Sequence, residues 1–166
     1  MDNNLTMDFS VDDENHTITV KREFAALLPL VWKAFTTSEI LDKWWAPHPY
    51  KCETKSMFFE DGGQWHYAMV GPDGEKHWSF ASFQSIKNEQ EYTATDGFSD
   101  ENSVVDKSKP QSKWHVQFST LEKNTLVDMK IIFTDASQLE STLALGFKDG
   151  FTMGLGNLDV YLASQK

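Results

Sequence analysis

An α+β fold is predicted for this chain: a curved antiparallel sheet of six to seven strands wrapped on a long C-terminal helix, with two short helices after the first strand. Three features carry the prediction. Extended runs with period-two alternation are separated by Gly, Pro, Asp and Asn turns from residue 51 to residue 134. Leu139, Leu143, Phe147, Phe151, Leu155, Leu158 and Leu162 then recur every three or four residues. Ahead of both, Pro29 and Ser38 sit where short helices begin.

Each element follows from its residues. In Thr17–Phe24, Ile18, Val20, Arg22 and Phe24 fall on one face and Thr19, Lys21 and Glu23 on the other, the mark of a half-buried strand. Pro29 suits the first turn of a helix that presents Val31, Ala34 and Phe35. Ser38 is the expected N-cap of a second helix, Glu39–Trp45, which Pro47 and Pro49 end. Extended segments are expected at Lys51–Glu60, Gln64–Val70, Glu75–Lys87, Glu91–Thr95, Lys113–Glu122 and Thr125–Thr134, and residues 97–112 read as a polar loop. From Ala136 the helical period points to one continuous helix.

Hairpin arithmetic assigns the faces. With Val70 opposite Glu75, the residues Trp65, Tyr67, Met69, Trp78 and Phe80 share one face and His66 and His77 the wet one. With Glu122 opposite Thr125, Trp114, Val116, Phe118, Val127, Met129, Ile131 and Phe133 share a face, leaving His115 outside. Each hairpin thus has one apolar side, as in a sheet covered on one face, and the C-terminal helix supplies the cover.

Composition narrows the function. The 166 residues are 40% hydrophobic and 13% aromatic, enough for one core that buries roughly 70% of the unfolded surface. The net charge is −10, which disfavours nucleic acid and anionic membranes. Asp2, Asp8, Asp12, Asp13 and Glu14, with no base among them, make residues 1–16 an acidic tail or loosely attached segment, followed by a single domain over 17–166. Cys52 is the lone cysteine, so neither an intrachain disulfide nor a thiolate zinc cage is expected. No secretion signal or bilayer-length apolar run is seen, and the chain is expected in the cytoplasm as a monomer or weak dimer.

Catalytic and cofactor motifs are missing: Gly154-Leu155-Gly156 starts like a dinucleotide fingerprint but has Asp159 at its third position and no strand before it. No catalytic residue, metal site or cofactor is assigned. Two features remain. Gly146, Gly150 and Gly154 form a stripe that costs about 1 kcal/mol per glycine inside a helix, consistent with tight packing, a kink, or room for a ligand. The inward aromatics, some carrying N–H or O–H groups, resemble an apolar cleft with polar handles. Trp65, Tyr67, Trp78 and Phe80 from one hairpin are expected to line it, with Trp114 and Phe118 from the other. Phe147, Phe151 and Leu155 come from the helix, and Arg22 stands at the rim as a contact for an anionic group or snorkels to solvent.

Several segments carry a family resemblance: Ile18-x-Val-x-Arg-x-Phe24, Pro29-x-x-Val-Trp-x-Ala-Phe35, Trp44-Trp45-Ala-Pro47, Gly62-Gly63-x-Trp-x-Tyr-x-Met69, Gly71-Pro-Asp-Gly74, Thr95-Asp-Gly-Phe98, and Gly146 to Gly154 followed by Leu158-Asp159. The chain resembles the homologues of the activator of the ninety-kilodalton heat-shock protein ATPase, within the helix-grip superfamily of START and birch-pollen-allergen proteins. The resemblance implies a cavity for a small hydrophobic ligand (lipid-like, or polyketide- or flavonoid-like) between sheet and helix, without enzymatic activity. A co-chaperone acting on a heat-shock chaperone ATPase and a cyclase- or hydrolase-type enzyme are the implied alternatives. Where many relatives carry Gly-Trp in the last helix, this chain has Gly150-Phe151, a change in cavity shape.

Overall fold

The computed structural model describes residues 5–165; Asp2 of the acidic segment lies outside them. Twelve elements are formed: β1 Met7–Asp12, β2 Thr17–Phe24, α1 Leu28–Thr36, α2 Ser38–Trp44, β3 Lys51–Met57, β4 Gln64–Val70, β5 Lys76–Lys87, β6 Glu91–Phe98, β7 Ser112–Leu121, β8 Asn124–Phe133, α3 Ala136–Ala144 and α4 Phe147–Ser164. The strands make one antiparallel sheet in the order β1-β2-β8-β7-β6-β5-β4-β3, eight strands against the six to seven expected. The additional edge strand is β1, drawn from the acidic segment and paired with β2 from Met7↔Arg22 to Asp12↔Thr17. This is a helix-grip architecture.

The covering helix is broken where one continuous helix was expected. Leu145 caps α3, and Gly146 takes φ +87°, a left-handed conformation that glycine adopts at little cost, so α4 starts afresh at Phe147. Asp135 caps α3 through the Gln138 amide at 3.0 Å. Farther along α4, a Cβ on Gly154 would stand 3.2 Å from the Trp45 carbonyl oxygen and 3.3 Å from that of Trp44. That glycine lets α4 pack against the end of α2, and Asn157 reinforces the contact by donating to the Ala46 carbonyl at 3.2 Å. Tight packing therefore accounts for Gly154, and a break in the helix accounts for Gly146.

The two hairpins depart from their expected registers in different ways. In β7–β8 the closing pair is Leu121↔Asn124, two positions from the Glu122↔Thr125 pairing expected. A slip of two preserves the face, and Trp114, Val116, Phe118, Val127, Met129, Ile131 and Phe133 are all buried. In β4–β5, Val70 pairs with Lys76 instead of Glu75, a slip of one. Tyr67 then stands opposite Ser79, while Trp78 and Phe80 oppose Ala68 and His66 on the outer face of the sheet.

His66 stays on the outer face, as expected, yet is not solvent-facing; it is 2% exposed. Residues 99–105 fold over the outer face and bury it. His66 Nε2–H donates to the Asp100 carbonyl at 3.0 Å, and the Ser103 hydroxyl donates to Nδ1 at 3.0 Å. The Trp78 ring lies 4.8 Å from the imidazole. The Asp100 carboxylate organises this loop by accepting from the amides of Asn102 at 2.8 Å and Val104 at 2.9 Å. The segment read as a polar loop is thus a structured cover.

Candidate functional site

A half-open cavity of about 290 Å³ lies between the inner face of β4–β7 and the α3–α4 junction. The break at Gly146 shapes it: the chain turns there, and Phe147 and Phe151 descend from the first turns of α4 with stacked rings 5.2 Å apart. Gly150 stands on the same wall with Pro47 nearby, where an added Cβ would sit 3.6 Å from the proline ring. Across the cavity, Trp114 of β7 meets Phe151 edge to face at 5.7 Å.

Trp45, just past α2, is the central aromatic. Its ring centroid is 5.5 Å from Trp65, 6.0 Å from Trp114 and 5.8 Å from Phe151. Its indole N–H donates to the Tyr67 hydroxyl at 3.1 Å. Trp65 and Tyr67, two residues apart on β4 and so on one face, stack at 3.8 Å. Burial pushes the Tyr67 phenol well above the ordinary tyrosine range, with the nearby Asp96 charge adding to the effect.

Asp96 gives the cavity its one carboxylate among the lining residues described. It shares the inward phase of β6 with Tyr92 and Ala94, and it pairs with Ser112 across β6–β7. The Ser112 hydroxyl donates to Asp96 Oδ1 and accepts from the Trp114 indole N–H at 3.1 Å. Removal from water raises the Asp96 carboxyl from 3.8 to about 6, against the lowering effect of the Ser112 and Trp114 donors beside it. No Lys or Arg lines this space among the described residues; His77 and Ser79 complete its polar side.

Of the residues expected at the cavity, the structure brings together Tyr67, Trp114, Phe147 and Phe151. Trp65 lines a smaller void of about 30 Å³ behind them. Phe118 packs between Trp32 and Phe35, at 4.9 and 5.4 Å, and Leu155 is fully buried in the core. Trp78 and Phe80 do not line the cavity, because the one-residue slip puts them on the outer face. Arg22 does not reach the rim: its guanidinium pairs with Asp159 of α4, donates to the Glu23 carbonyl at 2.6 Å and lies over the Phe24 ring.

Trp45, Asp96 and Ser79 also line the cavity and are not among the residues expected there. The signal for Asp96 was present, since Tyr92, Ala94 and Asp96 alternate and an acid in an apolar phase is unusual. The expected register places Ser79 on the outer face, and Trp45 stands at the end of the expected helix Glu39–Trp45. Among the described residues, no group of three or more His, Cys, Asp or Glu could hold a metal ion, and no helix is long and apolar enough to cross a membrane.

Comparison with known proteins places this geometry in a family. The model of the family described as "Activator of Hsp90 ATPase homolog 1-like protein" matches residues 25–163. The chain belongs to that family. The Activator of Hsp90 ATPase homolog 1-like match spans α1 to α4 and includes every cavity residue named above. No curated protein matches in sequence. Among solved structures, the crystal structure of protein Ms6760 from Mycobacterium smegmatis is 25% identical, with TM-score 0.87 over 95% of this chain and 96% of that one. The solution structure of an Arthrobacter aurescens protein is 24% identical, with TM-score 0.89 over 95% and 91%. The crystal structure of NE0264 from Nitrosomonas europaea is 22% identical, with TM-score 0.80 over 93% and 98%. The latter two show the fold alone.

Proposed function

We propose that this chain is a non-enzymatic binding protein that takes a small hydrophobic ligand, polyketide- or flavonoid-like or lipid-like, into the cavity between the sheet and α4. The observation that carries the proposal is the aromatic enclosure: Trp45, Trp114, Phe147 and Phe151 surround about 290 Å³ of space, with Tyr67, Ser79 and Asp96 as polar handles. An apolar cleft with a few placed polar groups is the usual form of a small-molecule site. The volume of about 290 Å³ lies just below the range of roughly 300–1,000 Å³ for drug-sized ligands, which favours a compact aromatic over a long acyl chain. Family membership is compatible with such a role and equally with action on a chaperone.

Calorimetric titration of the full chain with a chalcone tests this. Saturable one-to-one binding is expected, weakened at least tenfold by Gly150→Leu, which adds a bulky side chain at a position lining the cavity beside Pro47. Absence of saturable heat with a chalcone and with other apolar aromatics would contradict it. Stimulation of a chaperone ATPase by the Gly150→Leu variant as well as by the wild type would point to a surface function in its place.

A further inference from the structure

We infer that Asp96 selects the head group of the ligand: the cavity accepts compact aromatics bearing a hydroxyl or amine that donates to the Asp96 carboxylate, and rejects aromatic carboxylates of the same size. This rests on the ligand-binding role proposed above and assigns the polar end of that ligand.

The first support is position. Asp96 stands on the inner face of β6 as part of the cavity wall, with Tyr67 and Ser79 beside it. Its carboxylate is anchored, because Ser112 Oγ donates to Oδ1 and is itself fixed by the Trp114 indole. Ser112 donates to Oδ1 with the Trp114 indole beside it, and no donor among the described residues stands within hydrogen-bond distance of Oδ2, which leaves acceptor capacity for a ligand. An anchored carboxylate with open acceptor capacity discriminates by charge and by donor, since an anion brought beside it leaves two like charges in an apolar enclosure.

Charge balance supports the same assignment. No Lys or Arg lines the cavity among the described residues, so nothing there would neutralise an anionic ligand. Arg22, the basic residue expected to receive such a group, is committed to Asp159. The aromatic walls add preference for a cationic head: Trp114, Trp45 and Phe151 present ring surfaces within the same space, and an ammonium group gains from ring faces as well as from the carboxylate.

Isothermal titration at pH 7.5 with naphthalene, 2-naphthol, 2-naphthylmethylamine and 2-naphthoate, using the wild type and Asp96→Asn, tests the inference. The wild type is expected to bind 2-naphthol and the amine at least about tenfold more tightly than 2-naphthoate. In Asp96→Asn the naphthol–naphthoate gap should shrink to less than about threefold, with the amine losing the most. The wild-type series decides by itself if the variant does not fold. Equal wild-type affinity for 2-naphthol and 2-naphthoate, or a gap unchanged by Asp96→Asn, overturns the role of Asp96. If naphthalene binds while head groups are not distinguished, the cavity function stands and the selectivity falls. If neither naphthalene nor 2-naphthol binds, both fall.

Discussion

The Trp45 indole N–H donates to the Tyr67 hydroxyl at 3.1 Å, so the residue that closes α2 is tied to the middle of β4 across the cavity. Tyr67→Phe removes that acceptor while keeping the ring stacked on Trp65. The Trp45 N–H, half-buried, is left to find water, and a loss of about 1 kcal/mol in unfolding free energy is expected. Urea denaturation of both proteins measures it. In the wild type, absorbance titration should show two tyrosines, Tyr67 and Tyr92, that ionise above the usual range, and in the variant only Tyr92 of that pair.

Arg22→Met separates architecture from binding. The guanidinium is buried and pairs with Asp159, which is 39% exposed and free to hydrate when released. The expected cost is about 1–2 kcal/mol, read by chemical denaturation. Ligand affinity should stay within about twofold of wild type, a difference of roughly 0.4 kcal/mol, because Arg22 does not line the cavity. A large affinity loss in a folded variant would return Arg22 to the site.

Two glycines of α4 should respond in opposite directions. A Cβ at Gly156 meets nothing within 4 Å, so Gly156→Ala is expected to stabilise by up to about 1 kcal/mol through helix propensity. At Gly154 the same methyl group meets the backbone carbonyl oxygens of Trp45 at 3.2 Å and Trp44 at 3.3 Å, the second of which accepts from Asn157. Gly154→Ala is therefore expected to destabilise by about 1–2 kcal/mol. Thermal midpoints of the two variants check the contrast.

Asp96 predicts a pH dependence with a definite sign. Its carboxyl is raised from 3.8 to about 6 in the folded protein. Between those values the unfolded chain has released the proton while the folded protein retains it, so this group's contribution to stability falls as pH rises through the window. Asp96→Asn, which keeps an oxygen for Ser112, should gain on the wild type from pH 4 to pH 6, by at most about 3 kcal/mol, and hold that gain above pH 6. The titratable groups facing Asp96 are Tyr67 from β4 and His77 from β5, with no charged side chain lining the cavity from α3 or α4. Denaturation curves across pH 4–8 provide the measurement.

The contrast between the hairpins explains which parts of the site were legible. Alternation fixes which residues of a strand share a face, and Trp65 with Tyr67, or Trp114 with Phe118, were grouped correctly from it. Pairing two strands needs the turn as well. The turn Gly71-Pro72-Asp73-Gly74 also takes in Glu75, as Gly71 N–H donates to the Glu75 carbonyl at 2.8 Å, and the five-residue connection exchanges Trp78 for Ser79 on the inner face. In β7–β8 the turn moved to Glu122-Lys123, a slip of two that left the faces unchanged. The helical period likewise ran through Gly146 without a change of phase, so the break that shapes the cavity came from backbone conformation, to which side-chain spacing is blind.

Amide chemical-shift mapping of the full chain during titration with a neutral compact aromatic, such as a chalcone or 2-naphthol, tests the central claim most directly. Saturable shifts are predicted at Gly97 and Ser112 on the sheet and from Gly146 to Phe151 on the helix, and in Gly150→Leu these should need at least about tenfold more ligand to saturate. Linear, non-saturating shifts, or shifts concentrated around Trp78 and His66 on the outer face, would contradict it.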